Sequence, residues 1–278
     1  MAPRGTDHGV AGLGEKLARY GGTIREAAAR TPLGCRVYFH RQFGSSGAWR
    51  PQRPAPRSWN GVLQSRQEWE EASEYARSLG LPLHQTGPKN WDSLAALDCI
   101  LRNCRRSGAV LDAGGERYSV ILPWLWLYGY RRLTCANLAF DQTVTRGSIR
   151  YEYGDITASR FADASFQGIT CLSVVEHGVP LEEYFRECWR VLTPGGVLIT
   201  STDFFCAPVD TGGKVAFGVP VRIFDRDDVS KMVATAQQVG FELTGELDLS
   251  CSEKAVVWEE VDLAFTFVVF TLRKPLQS

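Results

Sequence analysis

The chain of 278 residues carries 31 basic and 31 acidic side chains, and 44% of its residues are hydrophobic. This composition is typical of a soluble globular protein, and the length suggests a core domain with an appendage of about a hundred residues. The sequence shows no apolar run of about 18 residues and no signal-peptide pattern, which excludes a membrane span and predicts a cytoplasmic location.

The cysteines and histidines do not form a metal-binding pattern. The eight cysteines are scattered without a C-x-x-C pair, and several lie in apolar runs, where cysteine usually behaves as a small buried hydrophobe. None of the four histidines has a partner at the spacing typical of metal ligands. We therefore expect no metal site.

Residues 1–90 are predicted to form a helical and loop-rich cap region, and residues 91–278 the main domain. Helices are expected at 15–30 and 68–80, the second of which ends at Gly80 shortly before Pro82. The stretch 50–61 between them is too rich in proline for regular structure.

The two parts of the chain carry opposite charge. The first 107 residues contain 16 basic and 9 acidic side chains, and no acidic residue occurs between Ala27 and Gln67, where arginines alternate with aromatic residues. Such a segment could bind RNA or an anionic ligand. The interpretation that we favour is a cover packed on an acidic domain, so a nucleic-acid partner is not expected.

From Ala109 onward, strand-like and helix-like segments alternate. Strands are predicted at 109–114, 132–137, 149–155, 166–174, 196–202, 241–249 and 264–273, and helices at 91–106, 118–128, 180–192 and 225–239. This pattern predicts an α/β fold with a doubly wound, mostly parallel seven-stranded sheet, helices on both faces and an antiparallel C-terminal edge hairpin.

The run VLDAGGERYS contains the first candidate site, because an apolar strand there ends in Asp112 followed by Gly114 and Gly115. Open α/β sheets bind their ligands at the carboxyl ends of the strands, and glycine lets the backbone approach a ligand closely. An acid with two glycines after a strand is common by itself, so its significance depends on the motifs that follow.

Those motifs are YEYGDI at 151–156, FADASFQGITCLSVVEHG at 161–178 and RECWRVLTPGGVLITSTDF at 186–204. Together with the first site they resemble the class I, Rossmann-like S-adenosylmethionine (SAM) dependent methyltransferases over about residues 95 to 275. The resemblance implies SAM as the cofactor. It also implies that Asp112, Gly114 and Gly115 contact the methionine part of SAM, and that Asp155 and Ile156 contact the adenine.

Two positions depart from the family pattern. A further loop glycine is replaced by Glu116-Arg117, and the acid that binds the ribose hydroxyls is replaced by Asn137. An amide lacks the charge assistance of a carboxylate, so we expect a ribose contact weaker by about 1 kcal/mol. On this reasoning Asn137→Asp should tighten SAM binding or leave it unchanged.

Three further residues are candidates for the acceptor side of the site. His177 follows the fourth predicted strand and is a candidate general base, with a loop-fixing role as the alternative. Asp203 and Asp210 lie in the long loop after the fifth strand, where this fold usually builds its acceptor pocket, and are candidates for substrate binding. The segment 15–66 is expected to close over this pocket.

These features predict methyl transfer to an O or N atom of a small polar molecule, such as a sugar or an amine of specialised metabolism. RNA methylation through the basic N-terminal segment is one alternative. A degenerate SAM-fold protein with a structural role is another, and so is a protein that uses its pocket for a reaction such as cyclisation or decarboxylation. The sequence does not indicate an oligomeric state.

Overall fold

The computed structural model describes residues 26–57, 59–216 and 218–276, so residues 15–25 of the predicted first helix lie outside it. The first complete helix, α1 (Pro32–Phe43), lies within the basic segment and was not expected. Its start signals are present in the sequence, because Thr31 Oγ1 accepts a hydrogen bond from Gly34 N at 3.0 Å and proline occupies the first turn.

The other helices lie within three residues of the predicted positions at most of their ends. They are α2 (Arg66–Ser78), α3 (Lys89–Asn103), α4 (Ile121–Leu127), α5 (Leu181–Val191) and α6 (Arg226–Val239). The short helix α4 begins three residues later than predicted, after the turn that contains Arg117 and Tyr118. No helix in the described part of the chain is long and apolar enough to cross a membrane.

A large mixed sheet forms the centre of the molecule. Its five middle strands are parallel and lie in the order β5 (Ile149–Tyr153), β3 (Arg132–Asn137), β2 (Ala109–Ala113), β6 (Phe166–Leu172) and β7 (Leu192–Phe204). The strand β12 (Leu263–Arg273) runs antiparallel to β7 and pairs with it from Val197 to Phe204. The predicted α/β fold with a mostly parallel sheet is thereby confirmed.

Among the described residues the sheet has ten strands, three more than the predicted seven. The additional strands are short: β1 (Gly61–Val62), β4 (Val144–Arg146) and β11 (Val256–Trp258), while β8 (Val215–Ala216) and β9 (Val219–Pro220) form a separate hairpin. The predicted strand 241–249 is reduced to β10 (Glu242–Leu243), which pairs with the end of β12. Gly245 has a φ of 79°, a left-handed conformation that interrupts an extended strand.

The two faces of the sheet bury separate hydrophobic cores, as in a doubly wound fold. Alternate residues along β7 show the division: Val197 and Ile199 pack towards α3 and α4, whereas Leu198 packs towards α5 and α6. Because successive strand residues point to opposite faces, the continuous apolar runs of these strands fill both cores.

The cap region is integrated with the main domain. Its strand β1 pairs with β12, Leu63 N donates to Phe267 O at 2.9 Å, and Trp69 Nε1 donates to Ala255 O at 3.0 Å. The predicted boundary at residue 90 falls in the first turn of α3. Residues before this boundary therefore contribute to the same sheet and the same core as those after it.

The arginines of the basic segment make intramolecular contacts. The guanidinium of Arg36 donates to the carbonyls of residues 46–48 and lies 3.8 Å from the centroid of the Trp49 ring. Arg53 donates to Leu101 O at 2.8 Å, and Arg57 forms an ion pair with Glu68 at 3.0 Å. These contacts fit a cover on the domain better than a surface for RNA.

Candidate active site

The glycine turn after β2 is built around the buried carboxyl of Asp112. This side chain is 2% exposed and accepts a hydrogen bond from Thr170 Oγ1 at 2.7 Å. The turn passes so close to it that a Cβ at Gly115 would overlap Asp112 Oδ2. Burial raises the pKa of Asp112 to about 7, so this carboxyl titrates near neutral pH.

Asn137, the predicted ribose contact, holds this turn from the neighbouring strand β3. Its Nδ2 donates to Gly114 O at 2.9 Å, Gly115 O at 3.0 Å and Glu116 Oε1 at 3.1 Å. Its Oδ1 accepts from Ala139 N at 2.8 Å. The amide group is therefore needed as a donor within the protein, which gives a physical reason for asparagine here in place of an acid.

Asp155 and Ile156 lie at the end of β5, on the far side of β3 from the glycine turn. They line a cavity of about 10 Å³, which is separate from the main one. Asp155 Oδ1 accepts from Thr157 N at 2.8 Å and from Thr157 Oγ1 at 2.6 Å. Their predicted adenine contact remains a prediction, because they do not meet Asp112 and Gly115 in one cavity.

The main cavity has a volume of about 470 Å³ and opens at the carboxyl ends of β2, β6 and β7. Five of the residues predicted from the sequence line it: Asp112, Gly114, Gly115, His177 and Asp203. Helix α3 closes one side, and β11 with the start of β12 forms an apolar wall. Because β12 is antiparallel to β7, its amino end lies at the same edge as the carboxyl ends of the parallel strands.

Four buried carboxyls meet in this cavity. They are Asp92, Asp112, Glu176 and Asp203, and their residues are at most 6% exposed. The cation among them is Lys89, whose Nζ lies 3.5 Å from Asp92 Oδ2 and donates to Ser173 Oγ. Among the described residues, no group of three or more His, Cys, Asp or Glu has an arrangement suited to a metal ion.

Glu176 and Asp203 form the innermost pair of these acids. Glu176 Oε2 accepts from Thr202 Oγ1 at 3.0 Å, whereas its buried Oε1 has no hydrogen-bond donor among the described residues. Burial, reinforced by the neighbouring Glu176 carboxylate, holds the pKa of Asp203 well above its usual range. A second negative charge beside Glu176 is therefore disfavoured at Asp203.

The loop after β6 carries His177 into the cavity. Ser173 begins this loop with a φ of 53°, an uncommon conformation for a residue other than glycine, and its N donates to Ser201 O at 3.0 Å. The backbone N of His177 donates to Val174 O at 3.1 Å, which closes a turn. Strained backbone of this kind often occurs at functional sites.

Asp210 is not part of the cavity. It is exposed, and its Oδ1 accepts from Gly212 N at 2.8 Å in the turn before β8. The described residues from 26 to 66 do not line the cavity either. The lining residues that precede α3 or lie at its start are His84, Thr86 and Lys89. Lys89 and Asp92 were not predicted, although an acid within the apolar helix WDSLAALDCIL is an unusual feature that could have indicated Asp92.

Comparison with known proteins assigns the domain. Residues 124–200 match the family model described as "Methyltransferase domain". Similar curated proteins include sterol 24-C-methyltransferase of Debaryomyces hansenii, 28% identical over 114 residues, which are 38% of this chain and 29% of that protein. Demethylmenaquinone methyltransferase of Deinococcus radiodurans is 42% identical over 52 residues, 19% of this chain and 22% of that protein.

The chain thus spans less than a third of the length of these curated relatives. Among solved structures, the [4+2]-cyclase SpnF has the same fold with a TM-score of 0.50 and 14% identity, covering 79% of this chain and 100% of that one. The sheet order, the glycine turn and the family match agree with the resemblance found in the sequence. Residues 124–200 thus match a methyltransferase domain, and the described residues have the sheet order of a class I, Rossmann-like fold.

Proposed function

We propose that the protein is a SAM-dependent methyltransferase that methylates an O or N atom of a small polar molecule in the main cavity. One observation carries the proposal: Asp112 and Gly115 of the glycine turn line the same cavity as His177 and Asp203. The cofactor turn and the candidate acceptor groups thus border one space, as direct transfer between two bound molecules requires.

The residues of the glycine turn fit the cofactor. Gly115 leaves no room for a side chain between the turn and Asp112, so the backbone can approach a ligand closely, and the Asp112 carboxyl is suited to a positively charged amino group. Asp112, Gly114 and Gly115 would hold the methionine part, Asp155 and Ile156 the adenine, and Asn137 would keep the glycine turn in place. When bound, SAM supplies a methyl group activated by a sulfonium.

The other residues act on the acceptor. Asp203 binds it at the end of β7, and His177 removes a proton from the O or N atom that is methylated. A histidine suits this role because its usual pKa lies near neutral pH. Asp210 would contribute only if the loop after β7 moved towards the cavity, since its carboxylate now caps the Gly212 turn.

Calorimetric titration with SAM and S-adenosylhomocysteine (SAH) tests the proposal. We expect binding of both, with Asp112→Asn weakening SAM at least tenfold and the exposed control Asp141→Asn leaving it unchanged. Because the pKa of Asp112 is about 7, SAM should bind more tightly as the pH rises from 6 to 8 and this carboxyl ionises. Absence of SAM and SAH binding at millimolar concentration would refute the proposal.

Carbon is the second candidate for the methylated atom. Sterol 24-C-methyltransferases are among the similar proteins, and the aromatic rings of Trp258, Phe265 and Phe267 form an apolar wall suited to a hydrocarbon body. The buried acids that line the same cavity favour a polar acceptor. Transfer of a 13C-labelled methyl group distinguishes the two, because methyl carbons on C, N and O give separate NMR shifts.

A further inference from the structure

We propose that Glu176 and Asp203 together form the binding site for a protonated amine carried by the acceptor. This inference rests on the proposed function, because it assigns the acceptor class for the same cavity. The observation behind it is that Glu176 lines the cavity while its buried Oε1 has no hydrogen-bond donor among the described residues.

An ionised carboxylate in this position is costly without a partner. Glu176 is 2% exposed and Asp203 is 6% exposed, so water compensates little of their charge. Buried polar atoms are normally paired, and a buried charge requires a counter-charge or a proton. An ammonium group of a bound ligand would supply that counter-charge together with several N–H donors.

The same cavity already holds one ammonium group, that of Lys89. Its Nζ lies 3.5 Å from Asp92 Oδ2 and 4.3 Å from the centroid of the Phe267 ring. Ser201 Oγ also donates to Asp92, at 2.8 Å. Asp92 is thus supplied with a cation and a hydroxyl donor, whereas Glu176 receives one hydroxyl donor, from Thr202 at Oε2, and none at Oε1.

The residues around the acid pair indicate what kind of molecule would carry the amine. The rings of Phe265 and Phe267 stand beside the acid pair, since Phe267 is the direct partner of Asp203 across the β7–β12 ladder. Aromatic faces attract cations and cover apolar groups. Glu259 and Glu260 are exposed and line the same cavity, which adds negative charge on the approach from solvent. An amine with a small apolar or aromatic body fits this arrangement.

Binding of an amine should release a proton. The charged and titratable groups around the pair are Lys89 and Asp92 from α3, Asp112 from β2, and His177 from the loop after β6. An ammonium group beside Asp203 favours the ionised form of its carboxyl and so lowers the raised pKa of Asp203. Affinity for the amine should therefore rise with pH until the amine itself loses its proton.

The probe is 2-phenylethylamine, and its neutral isostere is 2-phenylethanol. Both are titrated calorimetrically into the protein at pH 7.5, with and without saturating SAH. Each titration is repeated in phosphate and in Tris buffer, because the difference between the two binding heats gives the number of released protons. We expect the amine to bind at least tenfold more tightly than the alcohol. Glu176→Gln and Asp203→Asn should each remove this preference, and the exposed control Glu183→Gln should retain it.

Several results would overturn the inference. These are equal affinity of wild-type protein for amine and alcohol, amine binding without proton release, or an unchanged amine preference in folded Glu176→Gln and Asp203→Asn protein. If Glu176→Gln loses affinity for SAM but keeps its affinity for SAH, the acid pair would instead bind the sulfonium of SAM. If SAH fails to bind while the amine preference is present, the proposed methyl transfer fails and the amine site stands. If the variants do not fold, the wild-type comparison decides.

Discussion

Replacement of Asn137 by aspartate tests what this residue does. The variant loses an amide group that donates to Gly114 O, Gly115 O and Glu116 Oε1 at 2.9 to 3.1 Å. Two lost hydrogen bonds cost about 1 kcal/mol each. A carboxylate oxygen about 3 Å from Glu116 adds repulsion of roughly 1 to 5 kcal/mol for an effective dielectric constant between 80 and 20. After relaxation we expect the free energy of unfolding to fall by about 2 to 4 kcal/mol.

Urea denaturation of wild type, Asn137→Asp and Asn137→Ala measures this effect, because alanine removes the donors without adding a charge. Burial already raises the pKa of Glu116, and a new carboxylate beside it raises that pKa further. The excess loss in the aspartate variant should therefore be largest at pH 8 and disappear towards pH 4. SAH affinity should fall with it. An aspartate variant as stable as wild type, with tighter SAH binding, would refute this reasoning and restore the ribose role expected from the sequence.

Three other substitutions probe separate parts of the molecule. Gly115→Ala forces its Cβ against Asp112, so we expect the free energy of unfolding to fall by about 1 to 3 kcal/mol. SAH binding, measured by calorimetry, should be at least tenfold weaker. Wild-type affinity would contradict the close approach of residue 115 to the Asp112 carboxyl. His177→Ala should slow turnover of an accepted substrate about a hundredfold while SAH affinity stays within about twofold; an unchanged rate between pH 6 and 9 would remove His177 as the base. Asp225→Ala breaks the capping box with Asp228 at the start of α6 and should lower the free energy of unfolding by about 1 kcal/mol in urea; an accompanying loss of SAH affinity would show a role beyond the cap.

Most of the main strands and helices could be predicted because their apolar residues recur at a regular spacing and glycine, proline or polar residues bound them. The segment 241–249 was misjudged as one strand, since the left-handed Gly245 divides it and local composition does not reveal that conformation. The strands β1 and β11 have two and three residues, too few for a periodic pattern. They form only because β12 offers an unpaired edge.

The site was predictable where chain order alone brings residues together. Asp112 and Asp203 lie near the carboxyl ends of two parallel strands and His177 follows a third, and parallel strands end at one edge of the sheet. Lys89 reaches the same space from a helix, and Phe267 from an antiparallel strand, so neither follows from that rule. The contact of Asn137 with the glycine turn was not predicted for another reason. The family resemblance implies a ribose contact at this position, whereas the amide hydrogens of Asn137 point to the turn.

The concentration of acids in the cavity connects stability with ligand binding. A carboxyl whose pKa is raised in the folded state, as burial does for Asp112 and Asp203, favours folding while it is protonated. That contribution is present below its ordinary pKa, near 4, and is lost as the pH rises through the raised value. At neutral pH the folded protein therefore carries an electrostatic cost that a cationic ligand offsets. Since the cost grows with pH, a cationic ligand should stabilise the fold more at pH 8 than at pH 6, whereas neutral ligands should stabilise it equally at both.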